Sequence, residues 1–304
     1  LSNNPEDGET WFKMAEVLIS LNRREEAIAA YEKSIEMNSS KAGMAAITIS
    51  HLLAEAGRYD EALVASDMAL NLTSPDNVQD MKLVLGIKGS ILTEAARLEE
   101  ALQVFDEALK LDPRDRTSLM YRASVLKDLH RYNESAEASQ MAIELFSNES
   151  NLWKTNAWIG KGDALNASGR KDEALEAYRS AVEVIELDIQ ENPENSRAWE
   201  RKGRALYKMD EYEEALEAFN KSIDLSTPSF AISSESYFAW DGRGDALLKL
   251  GRNEEALDAY RQAIELYPLN GDAWHGKGAA LQALGKRIEG DWAFQMAEKL
   301  GYRE

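Results

Sequence analysis

The stretch Trp240–Pro268 reads WDGRGDALLKLGRNEEALDAYRQAIELYP, and 34 residues further on, from Trp274, the chain runs through nearly the same pattern again. A fixed period of this length marks an array of stacked units, each too small to bury its own apolar face. Followed backwards, the period yields eight copies that begin near residues 8, 43, 82, 116, 155, 196, 237 and 271. Position 4 of a copy is usually large (Trp11, Trp158, Trp199, Trp240, Trp274), position 8 is small (Gly162, Gly203, Gly244, Gly278), and position 11 is leucine in every copy. Further on, alanine recurs at position 20, an aromatic ring at position 24 (Tyr31, Phe105, Tyr178, Phe219, Tyr260, Phe294) and a small residue at position 27. These positions lie three or four apart, the stripe of an amphipathic helix, so each copy predicts two helices. The break falls at position 15, where Gly57, Gly169, Gly251 and Gly285 suit a left-handed helix end. Acidic pairs such as Glu213 and Glu214 then meet the positive end of the second helix.

Six spaced positions agreeing across most copies resemble the tetratricopeptide repeat, over essentially all 304 residues. The copies at 43 and 116 rest on phase more than composition, with Ala46, Ser66, Ser135 and Ser139 at usual signature positions. The resemblance implies an all-α fold, a right-handed α-α superhelix of eight helix-turn-helix repeats forming one array over residues 1–304. Departures from the period carry their own expectations. The run AVEVIELDIQENP, Ala181–Pro193, continues the helical pattern, so the second helix of the fifth copy is expected to run about two turns long. The excesses at Ser74–Asp80, Ser147–Asn151 and Ser226–Ser236, the last holding Pro228, read as loops.

The chain has 44% hydrophobic residues, six prolines, no cysteine and a net charge of -19. No apolar run approaches the roughly 18 residues of a membrane span, and an acidic chain is poorly suited to bind phosphate backbones. No nucleic acid and no membrane is therefore expected as partner. Three histidines in three copies, with no metal-ligand spacing, P-loop or nucleophile motif, predict no enzyme, no cofactor and no metal. The GxG pieces at Gly160–Gly162, Gly242–Gly244 and Gly276–Gly278 read as close helix packing, and so does the glycine within Arg243-Gly244-Asp245. The opening residues LSNNPEDGETW resemble the inter-repeat link NPENSRAW at 192–199, which suggests a chain cut from a longer protein. In the last copy Gly290, Asp291 and Glu298 replace larger or apolar residues, as in a terminal cap, and Trp292 is expected to fold back on Tyr302 or to mark a sticky end. Six Asn-x-Ser/Thr sequons leave an exported protein as the alternative to the cytoplasmic default.

The family's concave face is lined by positions 2, 5, 6, 9, 12 and 13 of the first helices. In the first four copies these read largely apolar, with Phe12, Met44, Ile47, Leu83, Met120 and Tyr121 beside His51, which suggests anchors for a partner. The sixth copy differs: Arg197, Arg201, Arg204 and Lys208 form one helical stripe. Such a stripe suits peptide carboxylates; equally, Asp163 on one side and Asp241 or Asp245 on the other could neutralise it from within. The family's carboxylate clamp is matched only by Arg197 and Arg201, with Met120, Ser124 and Gly160 at its other positions, so a chaperone cofactor is not implied. The expected function is a scaffold holding a peptide segment of a protein partner in its groove; the alternative is a structural module driving self-association.

Overall fold

The computed structural model describes residues 7–146, 151–226 and 236–302. Among these, sixteen α-helices follow one another in eight pairs, with no strand. The pairs α1 (Gly8–Ser20) and α2 (Arg24–Glu36), α3 (Ala42–Glu55) and α4 (Tyr59–Leu72), α5 (Val78–Glu94) and α6 (Leu98–Leu111), and α7 (Arg116–Asp128) and α8 (Tyr132–Leu145) make one compact unit, residues 1–145. A second unit, residues 146–304, holds α9 (Asn151–Ala167) and α10 (Lys171–Glu191), α11 (Ser196–Lys208) and α12 (Tyr212–Leu225), α13 (Ser236–Lys249) and α14 (Asn253–Leu266), and α15 (Gly271–Ala283) and α16 (Arg287–Lys299). Within each unit the second helix of a pair packs on the first helix of the next, and successive first helices also meet. The fold is the predicted all-α array of helix pairs.

All eight helix breaks use one device. Position 15 is left-handed in every copy, at Gly57, Gly169, Gly251 and Gly285 and also at Asn22, Ala96, His130 and Asp210. Composition picked out only the glycines, because asparagine and aspartate also tolerate this region while alanine and histidine adopt it under the constraint of packing on both sides. Ala96, with φ at 58°, carries the strain without a polar side chain to offset it. Ala96→Gly is therefore expected to raise stability by about 0.5–1 kcal/mol, seen as a higher urea midpoint; a lower midpoint would show that the backbone there is unstrained.

The glycines at positions 6 and 8 leave room for rings. A Cβ on Gly242 would come within 2.4 Å of Phe219, and one on Gly203 within 2.8 Å of the same ring. Tyr260 is held likewise, between Gly244 at 2.6 Å and Gly276 at 2.3 Å. Each of these two rings at position 24 thus lies between position 8 of its own copy and position 6 of the next, which places Gly244 of the Arg-Gly-Asp tripeptide in the core. Around Tyr260, Leu216, Leu247, Leu257 and Leu281 close an apolar cluster.

The irregular spacings resolve in three ways. α10 runs 21 residues, to Glu191, as its continued stripe predicted. The excess near Ser74 is only partly loop: α4 stops at Leu72 and α5 begins at Val78, so the first helix of the third copy gains a turn at its start, capped by Asn77. Asn151 likewise begins α9 instead of ending a loop. Residues 147–150 and 227–235, with Asn148 and Pro228, and the opening residues through Pro5, lie outside the described residues. At the last copy Asp291 and Glu298 are exposed, as suits a cap. Trp292 meets Trp274 edge-on at 5.2 Å between centroids, whereas Tyr302 stacks on His275 at 4.2 Å.

Candidate peptide-binding groove

The first helices of copies six to eight, α11, α13 and α15, line a groove of about 650 Å³ open to solvent. Its base is the edge of the clasped rings Phe219 and Tyr260, and its walls carry Glu200, Arg204, Lys208, Asp241, Asp245 and Asn270. The rings follow from the glycines: without side chains at Gly242 and Gly276, the groove surface drops to the aromatic layer.

Three members of the cationic stripe of α11 are paired with carboxylates of the chain itself. Glu200, only 4% exposed, sits among its residues. Arg201 Nη1 pairs closely with Glu200 Oε2, and Arg204 Nε lies 3.8 Å from Glu200 Oε1. Lys208 Nζ reaches Asp163 Oδ1 at 3.3 Å, the neutralising contact expected from the fifth copy. Arg197 lies exposed at the head of the stripe. The unforeseen member is Glu200, at position 5 of its copy; it lies on a groove-lining position, but among four cations its own sign drew no weight.

The carboxylates of α13 are held differently. Asp245 Oδ1 accepts a hydrogen bond from the Tyr260 hydroxyl at 2.7 Å. Asp241, one turn earlier, has its Oδ1 closed off from water with no hydrogen bond. Burial pushes the Asp241 carboxyl well above the usual aspartate range, and the like charges of Asp245 and Asp272 add to the rise; the Asn270 amide opposes it. Asp245 is raised as well, by burial first, against the Tyr260 hydrogen bond. Asn270, 7% exposed, accepts the Ala273 N–H at 3.2 Å to cap α15, and its amide faces the Asp241 carboxyl.

Tetratricopeptide repeat models match residues 8–41, 88–150, 154–189 and 194–269. The chain belongs to the tetratricopeptide repeat family. No curated protein matches it in sequence. A tetratricopeptide repeat protein from Parabacteroides merdae ATCC 43184 is similar in structure, with a TM-score of 0.64 at 15% identity over 90% of this chain and 98% of that one. One chain of the APC/C hetero-tetramer Cut9–Hcn1 gives 0.55 at 14% identity over 100% of this chain and 55% of that one. A thermophilic tetratricopeptide protein of Thermus thermophilus, TTC0263, gives 0.52 at 20% identity over 66% of this chain and 99% of its own. At such identities these likenesses concern the fold. Tetratricopeptide repeats generally mediate protein–protein interaction.

In the first unit of this tetratricopeptide array, the apolar candidates divide. Phe12 packs edge-on against Tyr31 at 5.2 Å, and Ile47 is half-buried against the core. Tyr121 stacks on Phe105 at 5.4 Å, the ring-covering place that position 6 also takes at Gly242 and Gly276. Phe12 and Ile47 serve packing, whereas Tyr121 covers Phe105 with one face and stays 45% exposed. Met120 is half-buried, whereas Met44, His51 and Leu83 are exposed or partly so on their first helices. Among the described residues no helix is long and apolar enough to cross a membrane.

Proposed function

We propose that this tetratricopeptide array is a protein-interaction scaffold that holds a peptide segment of its partner along α11, α13 and α15. The observation that carries this reading is the groove itself. It combines ring edges, which give a guest apolar contact, with the buried Asp241 carboxyl, whose Oδ1 is left without a hydrogen bond. Exposed Met44 and Leu83 of the first unit are further contact candidates, as is Arg197 at the head of the stripe.

Ala279 sits in the groove wall on α15, half-exposed. Ala279→Arg is expected to fill the groove without touching the packed face. A phage-displayed dodecapeptide library panned on the parent chain should yield enriched sequences that fail to bind Ala279→Arg. Equal binding by both proteins, or no enrichment at all, removes the groove from the account.

Self-association is the second reading, favoured by the outer face of α16, where Ile288 and Trp292 are 88% and 51% exposed one turn apart. Light scattering over a concentration series decides it, since a strict monomer excludes the reading.

A further inference from the structure

The repeat provides an internal comparison. Asp163 and Asp245 occupy position 9 of copies five and seven, and each accepts a hydrogen bond from the position-24 tyrosine of its own copy, Tyr178 at 2.9 Å and Tyr260 at 2.7 Å. Asp163 has a second partner: Lys208, position 13 of the next copy, at 3.3 Å. At position 13 of the copy following Asp245 stands Ala283. That aspartate therefore lacks the cation its counterpart has.

Its neighbours do not supply one. Arg204 faces Glu200 and Lys208 faces Asp163; Lys208 and Lys249 ease the charge of Asp245 only from a distance, without an ion pair. Against them Asp241 and Asp272 add negative charge, and Asp241 Oδ1 is closed off without a donor. Beside them lie Tyr237 and Phe238, with centroids 4.1 Å apart and both lining the groove. The Tyr237 hydroxyl is pushed up to about 12, by burial first and then by Tyr267, Asp241 and Asp272. Carboxylates without a paired cation, beside aromatic rings, match a cationic side chain, through charge-assisted hydrogen bonds and cation–π contact.

We propose that the groove takes an arginine or lysine side chain of the partner peptide at Asp241 and Asp245, in the place that Lys208 holds at Asp163. The proposal rests on the groove reading above and adds the class of residue recognised. Asn270, nine-tenths buried on the same wall, holds the Asp241 carboxyl from the side opposite a guest cation. The groove wall of this acidic chain thus offers a place where added positive charge is favoured.

The test uses the full chain and fluorescent, end-capped hexapeptide pools with a fixed central arginine, lysine, citrulline or glutamate, read by fluorescence polarisation. Arginine and lysine pools are expected to bind about tenfold or more tighter than the citrulline pool, which keeps the shape and loses the charge. Asp241→Asn keeps the shape of the wall and removes the ionisable group, so it should fold and lose that preference. Ala283→Lys, which restores the missing internal cation, should weaken the arginine pool by a similar factor while leaving helicity unchanged. Equal binding of arginine and citrulline pools, or a preference that survives Asp241→Asn, overturns the cation assignment and leaves the groove reading standing. If no pool binds, or if all bind Ala279→Arg as well as the parent, the groove reading fails and this proposal with it.

Discussion

Tyr260→Ala is expected to lower the stability of the second unit by about 3–5 kcal/mol, the usual range for truncating a fully buried ring. The ring is wholly buried, and both walls that clasp it are glycine backbone, at Gly244 and Gly276. Helix backbones cannot slide together to fill the gap, because the leucines around it already set their separation. The truncation also strips Asp245 of its hydroxyl donor. Tyr260→Phe isolates that second loss and should cost about 1.5–3 kcal/mol, the range for a hydrogen bond to a charged group. Denaturant unfolding followed by fluorescence and by helical circular dichroism measures both. In a repeat array each copy is stabilised chiefly by its neighbours, so the loss should be felt in copies seven and eight before the others. A Tyr260→Ala cost below about 1 kcal/mol, outside the cavity range, would mean that the copies close over the gap.

The same tyrosine marks how far the sequence could be read. The period and the leucines at position 11 place every helix pair, and rings at position 24 mark six of the eight, because they are the residues that pack and packing repeats with the chain. Glycine signalled four of the eight left-handed breaks. Ala96 and His130 escape such a reading, since the fold imposes their conformation and the side chain does not invite it. The groove was legible by position: Arg204, Lys208, Asp241 and Asp245 all fall on lining positions of the first helices. Charge pairing was less so. Whether Arg201 faces a guest or its neighbour Glu200 depends on rotamers and burial, which the repeat phase does not set. Position 6 was ambiguous for the same reason, and it resolves as packing where Tyr121 covers Phe105 and where Gly276 makes room for Tyr260. The missing lysine opposite Asp245 is visible only when the geometry of the fifth and seventh copies is compared.

Asp241→Asn is expected to stabilise the protein by about 1–3 kcal/mol at pH 7, the range for relieving a buried charged group of an unmet partner. Burial, then Asp245 and Asp272, holds the Asp241 carboxyl above its usual range in the folded chain, whereas in the unfolded chain it titrates near about 3.9. Between those two values the folded state binds more protons than the unfolded state, so stability falls as pH rises through that window. The substitution removes this loss, and it also removes a like charge from beside Asp245. Parent and variant should therefore converge near about pH 4, below which neither carries the charge, and diverge towards neutrality. The difference between the two unfolding curves is the decisive quantity, because carboxylates such as Glu26 and Glu61, lowered by their arginine hydrogen bonds, slope the opposite way in both proteins and cancel. A variant no more stable than the parent at pH 7 would mean that water or a local shift already satisfies Asp241. If the divergence is found, the wild-type chain keeps a destabilising charge in its groove wall. An arginine-bearing peptide should then raise the unfolding midpoint of the parent and leave that of Asp241→Asn nearly unmoved, since only the parent has an unmet carboxylate for the ligand to satisfy.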